Sequence, residues 1–153
     1  MSQFLSIDAG NGLVQLLARA FPAVDVATIG EKDIDDTGHL VFNPPVIRVR
    51  HAGTRWAQTH DNTATNYDCE HIFELWCAEE NLRSKDEQRE DTEALVCRVA
   101  VQMAGARIAL ADGSKTEPVR LVDVNDVEQD IVGLVYILTV LLPGVAQFDG
   151  VNA

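Results

Sequence analysis

Apolar and polar positions alternate most clearly along residues 69–78. There Cys69, His71, Phe73, Leu75 and Cys77 share one side, while Glu70 and Glu74 lie on the other. A period of two predicts a strand covered on one face. The period then changes. Leu95, Val96, Val99, Ala100 and Met103 recur at helical spacing, which predicts a helix over 85–104 with one buried stripe. Ser84 and Glu87 make a Ser-x-x-Glu capping box at its start. Asp86, Glu87, Glu90 and Asp91 crowd the first turns, where the helix dipole favours negative charge.

The rest of the chain yields to the same reading. A first helix is predicted over 6–20, its apolar face traced by Leu13, Val14, Leu16, Leu17 and Ala20 and its end set by Pro22. Gly10 and Gly12 weaken its opening turns. Residues 24–29 read as a short strand and 30–42 as a polar, acidic loop. Asn43-Pro44-Pro45 stops regular structure, and 46–51 follow as a strand with Arg48 and Arg50 on one side and Ile47 and Val49 on the other. Residues 53–68 are too polar for a core element and read as a long excursion between two paired strands. Residues 111–115 are a turn, 119–124 a strand, and 125–130 a second turn. The apolar run 131–142 reads as a long strand ended by Pro143-Gly144, with cover on both faces. The expected fold is α+β: a single domain over 1–153, with a mostly antiparallel four-stranded sheet and two main helices packed on one face.

Composition narrows the function classes. With 46% hydrophobic residues the chain can build a core without staples, and its formal net charge is −12. No cluster of five or more Lys and Arg is present, which argues against a surface that grips nucleic-acid phosphates. Such an acidic chain also repels anionic membranes. The opening residues carry no basic leader followed by an apolar core, so no signal peptide is expected, and the longest apolar run has only 12 residues. Cys69, Cys77 and Cys97 are an odd set without framework spacing, which predicts buried thiols in a reducing compartment.

Candidate chemistry is sparse. Cys69, His71 and Cys77 lie on one strand face and Cys97 on the covering helix. A strand spreads the first three over roughly 27 Å, whereas zinc needs about four converging ligands. Small apolar thiols are the better reading, and neither metal nor cofactor is expected. His51 and His60 flank the polar excursion near Asp61 and Asp68, the one arrangement open to acid–base work, as in a small acidic hydrolase. Gly10-Asn11-Gly12 lacks the preceding strand and the later glycine of a phosphate cradle. Tryptophan outside a core face is a common interface anchor. Trp56 in the excursion and Trp76 on the polar side of its strand are therefore taken, with Arg55 and Tyr67, as interface candidates.

The order of these pieces resembles the tail terminator, or tail completion, proteins of Mu-like contractile-tailed phages, and more distantly the terminators of long non-contractile tails. The resemblance rests on the first helix ending at Phe21-Pro22, the Pro-Pro-Val-Ile-Arg-Val-Arg strand at 44–50 and the strand at 69–78. The helix at 85–104 and the closing hairpin, from Val119–Val124 into Gly133-Leu134-Val135-Tyr136-Ile137-Leu138, complete it. It implies a structural protein of a phage or prophage virion, assembled in the bacterial cytoplasm and without enzymatic activity. Copies of the chain would close into a ring, a hexamer, on the end of the tail tube. The ring stops tube polymerisation and offers a surface to the head–tail connector, while DNA passes through the hole without specific binding and no membrane is involved. Other neck or head–tail joining proteins share these properties.

Overall fold

The computed structural model describes residues 2–3, 6–38, 41, 43–56, 66–80, 85–129 and 133–148. Two helices and six strands occur among them: β1 (Ser2–Gln3), α1 (Ser6–Ala20), β2 (Asp25–Thr28), β3 (Val46–Trp56), β4 (Asn66–Ala78), α2 (Lys85–Met103), β5 (Arg120–Gln129) and β6 (Gly133–Phe148). The α+β class and the two helices agree with the sequence pattern. The sheet is larger than four strands and is mixed. It runs β1-β6-β4-β3-β2, with β5 also pairing with β6, and every pairing is antiparallel except β2 with β3.

Register puts Ile47 and Val49 of β3, Leu75 and Cys77 of β4, and Tyr136 and Leu138 of β6 on one face of the sheet. Both helices cover that face. Leu13 and Leu17 of α1 join Leu95, Val99 and Met103 of α2 in one core with Phe73, Leu75, Leu138 and Leu142. No helix packs on the opposite face among the described residues. That face holds a smaller cluster of Val46, Ala78, Val135 and Ile137, flanked by Trp76 and Val127.

Three departures from the expected elements share a cause: strand structure persists through residues that look like breakers. Residues 53–56 and 66–68 belong to β3 and β4, not to the polar excursion. The register shifts between His51 and Gly53, and Gly53 takes φ 148°, a backbone that a side chain would resist, so the bulge carries the strand onward. Residues 125–129, expected as a turn, continue β5. This is an edge strand, so its Asn125, Asp126 and Glu128 can meet water. Pro143-Gly144 does not end β6 either. Pro143 pairs with Glu70 on one side and lies beyond the last β5 pairing, Arg120 with Leu141, on the other. A missing N–H breaks no ladder there.

The two glycines in α1 have different neighbours. A Cβ at Gly12 would lie 2.5 Å from both the Ala109 carbonyl oxygen and Ile108 Cγ2, so its bareness lets the 104–119 connection close over the helix. That connection is tied down by the backbone N–H of Ala111, which donates to the Asp8 carboxylate. At the start of α2, buried Gln88 accepts from the Leu134 N–H and donates to the Glu79 carbonyl, so the helix is pinned to both β4 and β6. Ser84 of the expected capping box lies outside the described residues.

Candidate assembly surface

β3 and β4 run together as a long antiparallel pair, and its distal half carries three of the interface candidates, Arg55, Trp56 and Tyr67. Arg55 stands opposite Glu70 and donates to it from Nε at 2.6 Å. Arg120 of β5 reaches the other oxygen of the same carboxylate, so Glu70 is clamped between two guanidiniums. The hydrogen bond from Arg55 is the main reason that its carboxyl is held below the usual range; Arg120 adds to this, and burial opposes it. Five residues earlier on β3, Arg50 pairs with Glu74.

Trp56 ends β3 opposite Cys69 and is 50% exposed. By register it lies on the sheet face opposite to Arg55. Tyr67 is a β4 residue paired with Ala146. Trp76 sits on the face without helices, half-buried against Val46, Ala78, Val135 and Ile137, with its indole N–H directed to Glu74 Oε1 at 3.3 Å. Arg55 and Trp56 thus point to opposite faces, and Trp76 stands at the other end of the strand pair.

Only part of the candidate acid–base set lies within the described residues. His60 and Asp61 fall outside the described residues. His51 is exposed and its Nε2 lies 3.0 Å from Thr54 Oγ1, which lies 2.8 Å from Nδ1 of buried His71. His71 Nε2 is 3.8 Å from Cys69 Sγ. This chain of contacts runs from the surface into the sheet beside a cavity of about 170 Å³ lined by Ile7, Asn11, Thr28, Val49, His51 and Phe73, with no carboxylate among the described lining residues. Cys69 and His71 are thus neighbours on one face of β4, while Cys77 lies eight residues further along the same strand. Among the described residues no group of three or more His, Cys, Asp or Glu is placed to hold a metal ion.

The cysteines differ from one another. Cys77 is fully buried and burial pushes its thiol up to about 12, so it stays protonated at neutral pH. Cys69 is buried too. Cys97 is exposed, which corrects the expectation of three buried thiols. The buried stripe of α2 runs through Gln88, Thr92, Leu95, Val96, Val99 and Met103, and Cys97 falls at a phase facing away from it.

Two features carry no motif that sequence reading could seize. Arg48 is 3% exposed and donates from Nε to Asp33 Oδ1 at 3.0 Å and from Nη2 to Asp25 Oδ2 at 2.8 Å. Hydrogen bonding to Arg48 is the main reason that the Asp25 carboxyl is lowered. Asp33 belongs to a short 3₁₀ turn, Glu31–Asp33, and its carboxylate also accepts from the Gly30 N–H, so one buried cation ties this turn to the sheet. The second feature is exposed apolar surface away from the candidates: Val101 on α2, and Leu121, Val122 and Val124 on β5. Its faint signal in the sequence is valine at a solvent phase of α2 and an apolar run, 121–124, broken only by Asp123.

No helix among the described residues is long and apolar enough to cross a membrane. Neither a protein-family model nor a curated protein matches the chain.

Proposed function

We propose that this chain is a phage or prophage tail terminator: a subunit of a homo-oligomeric ring, a hexamer, that caps the tail tube, ends its polymerisation and presents a surface for joining the head. The observation that carries the reading is the two-sidedness of the fold. Both helices lie on one face of the sheet, none covers the other among the described residues, and apolar side chains stand exposed at Trp56, Val101, Leu121, Val122 and Val124. Exposed apolar surface on a soluble chain marks contact with other protein.

The mechanism is steric. A ring with unlike faces sits on the tube with one and meets the head–tail connector with the other, so no further tube subunit can add. The charge suits a conduit, since six copies at −12 each carry −72, and acidic walls repel DNA phosphates. The place of action is the virion tail, assembled in the bacterial cytoplasm. Light scattering tests the association directly: the chain, alone or offered tail-tube ends, forms multimers of its 16.8 kDa unit. Copies that remain single under both conditions contradict the reading. Trp56→Ala is expected to weaken association or tube capping, and wild-type behaviour in both assays removes Trp56 from the interface.

A second reading, a small hydrolase-like enzyme, draws on the His51–Thr54–His71 chain beside its cavity. It requires turnover that His51→Ala abolishes. A different neck or head–tail joining role is separated from tube capping by the length of tails made without the protein.

A further inference from the structure

The C-terminal halves of the two helices bear an unusual charge pattern for this chain. Between Ala9 and Val24 the only charged residue is Arg19, and between Ala94 and Arg107 the only ones are Arg98 and Arg107, in a protein with 24 Asp and Glu. The two helix ends meet at a groove of about 360 Å³ lined by Ala20, Phe21, Cys97, Arg98, Val101 and Gln102. Phe21 is buried at its base, the Arg98 guanidinium lies 5.8 Å from the centre of the Phe21 ring, and Val101 is 75% exposed at the rim. Arg98 also makes a long contact, 3.9 Å, with Glu79, and its side chain is mostly in water. The groove is thus apolar with a cationic rim.

The opposite character appears on β5. This strand pairs only with β6 among the described residues. By register its exposed Val124 shares a face with Leu121 and Asp126 while Asp123 takes the other, and Val122 falls at the register shift. Its one cation, Arg120, is engaged by Glu70, and Asp126 lies 3.4 Å from Arg89, which leaves Asp123 as the carboxylate without a cation beside it among the described residues. Two β5 strands from different copies would bring like charges together, which opposes a symmetric edge-to-edge pairing. The acidic apolar strand and the cationic apolar groove are complementary, and they lie on different parts of the surface. A contact between unlike patches repeats head to tail and closes into a ring when the rotation permits.

Resting on the ring reading above, we infer that the subunit interface is formed by β5 of one copy seated in the α1–α2 groove of the next. Leu121, Val122 and Val124 supply the apolar contact beside Val101 and Phe21. Asp123 faces Arg98. The other possible occupants of the groove, a tube or connector segment, become outcomes of the test.

Cys97 provides the probe, since it is exposed and lines the groove. A full-length Val124→Cys variant is oxidised with copper–phenanthroline and run on a non-reducing gel. The interface predicts a ladder of cross-linked multimers that disappears in Val124→Cys/Cys97→Ser. Adding Arg98→Glu should cut the cross-linking rate at least tenfold, and adding Asp123→Arg to that variant should restore most of it. All of these substitutions are at exposed positions, and circular dichroism checks that each variant is folded. If light scattering shows multimers but no ladder forms, the interface is wrong and the ring survives. A ladder indifferent to both charge changes also overturns the interface and leaves the groove to a tube or connector segment. If the wild type stays single even with tube ends present, the ring reading and this inference fall together.

Discussion

Replacing Arg48 with Met removes the cation that holds the 3₁₀ turn against the sheet, and the structure fixes how much this should matter. Methionine keeps the length and apolar stem of the side chain, so little packing is lost. What changes is Asp33. Its side chain and that of Arg48 are each only 3% exposed, and without Arg48 the carboxylate keeps the Gly30 N–H but loses its countercharge. Breaking a buried pair by deleting one partner costs about 3–5 kcal/mol. Asp25 adds little, because its side chain is 56% exposed and such surface pairs contribute at most about 1 kcal/mol. A chain of this size has a urea m-value of about 2 kcal/mol/M, so the unfolding midpoint should fall by roughly 1.5–2.5 M. The double variant Arg48→Met/Asp33→Leu replaces the pair with apolar groups and should recover most of the loss. Urea unfolding followed by tryptophan fluorescence and circular dichroism reads both. A loss below about 1 kcal/mol for Arg48→Met at unchanged slope, or a double variant no better than the single, refutes the reasoning.

Three further outcomes follow from the packing and the charges. Gly12→Ala should destabilise by about 1–3 kcal/mol through overpacking, despite a helix-propensity gain of about 1 kcal/mol, because the added methyl meets Ala109 and Ile108; thermal melts decide the sign. In native protein a maleimide should modify Cys97 quickly, while Cys77, buried with its thiol pushed up to about 12, reacts only on unfolding; mass spectrometry of the labelled peptides checks the order. The carboxyls of Glu70 and Asp25 are lowered in the fold, so they add stability above their unfolded values of 4.5 and 3.8, and it is lost as pH falls through the lowered ones. Glu70→Gln should therefore flatten the stability–pH curve below about pH 4.5 by up to about 1 kcal/mol, which urea titrations from pH 2 to 7 would show.

Much of the fold is legible in the period of the apolar residues. The alternation at 69–78 and the stripe from Leu95 to Met103 place β4 and α2, and Leu13 and Leu17 place α1, because each packs one regular face into a single core. Legibility fails where a local breaker is overruled by pairing. Gly53 and Pro143 look like ends and are a bulge and an open-edge position, properties of the neighbouring strands. Asp126 and Glu128 look like a turn because an exposed edge strand tolerates polar residues on both sides. The Arg48 network was out of reach for another reason: Asp25 and Asp33 come from separate segments, and only the sheet brings them to one guanidinium. The candidate surface was the least legible part. Trp56 and Trp76 stand out as large aromatics, yet the apolar groove rests on Ala20, Phe21, Cys97 and Val101 and β5 exposes leucine and valine, residues that in a sequence look like core.

Tail length in particles made without this protein tests the central claim most directly. If the chain is the cap that ends tube growth, electron micrographs of the deletion should show headless tails with tubes of variable and excessive length, and supplying the protein in trans should restore a single length. Tails of normal, uniform length in the deletion would contradict the account.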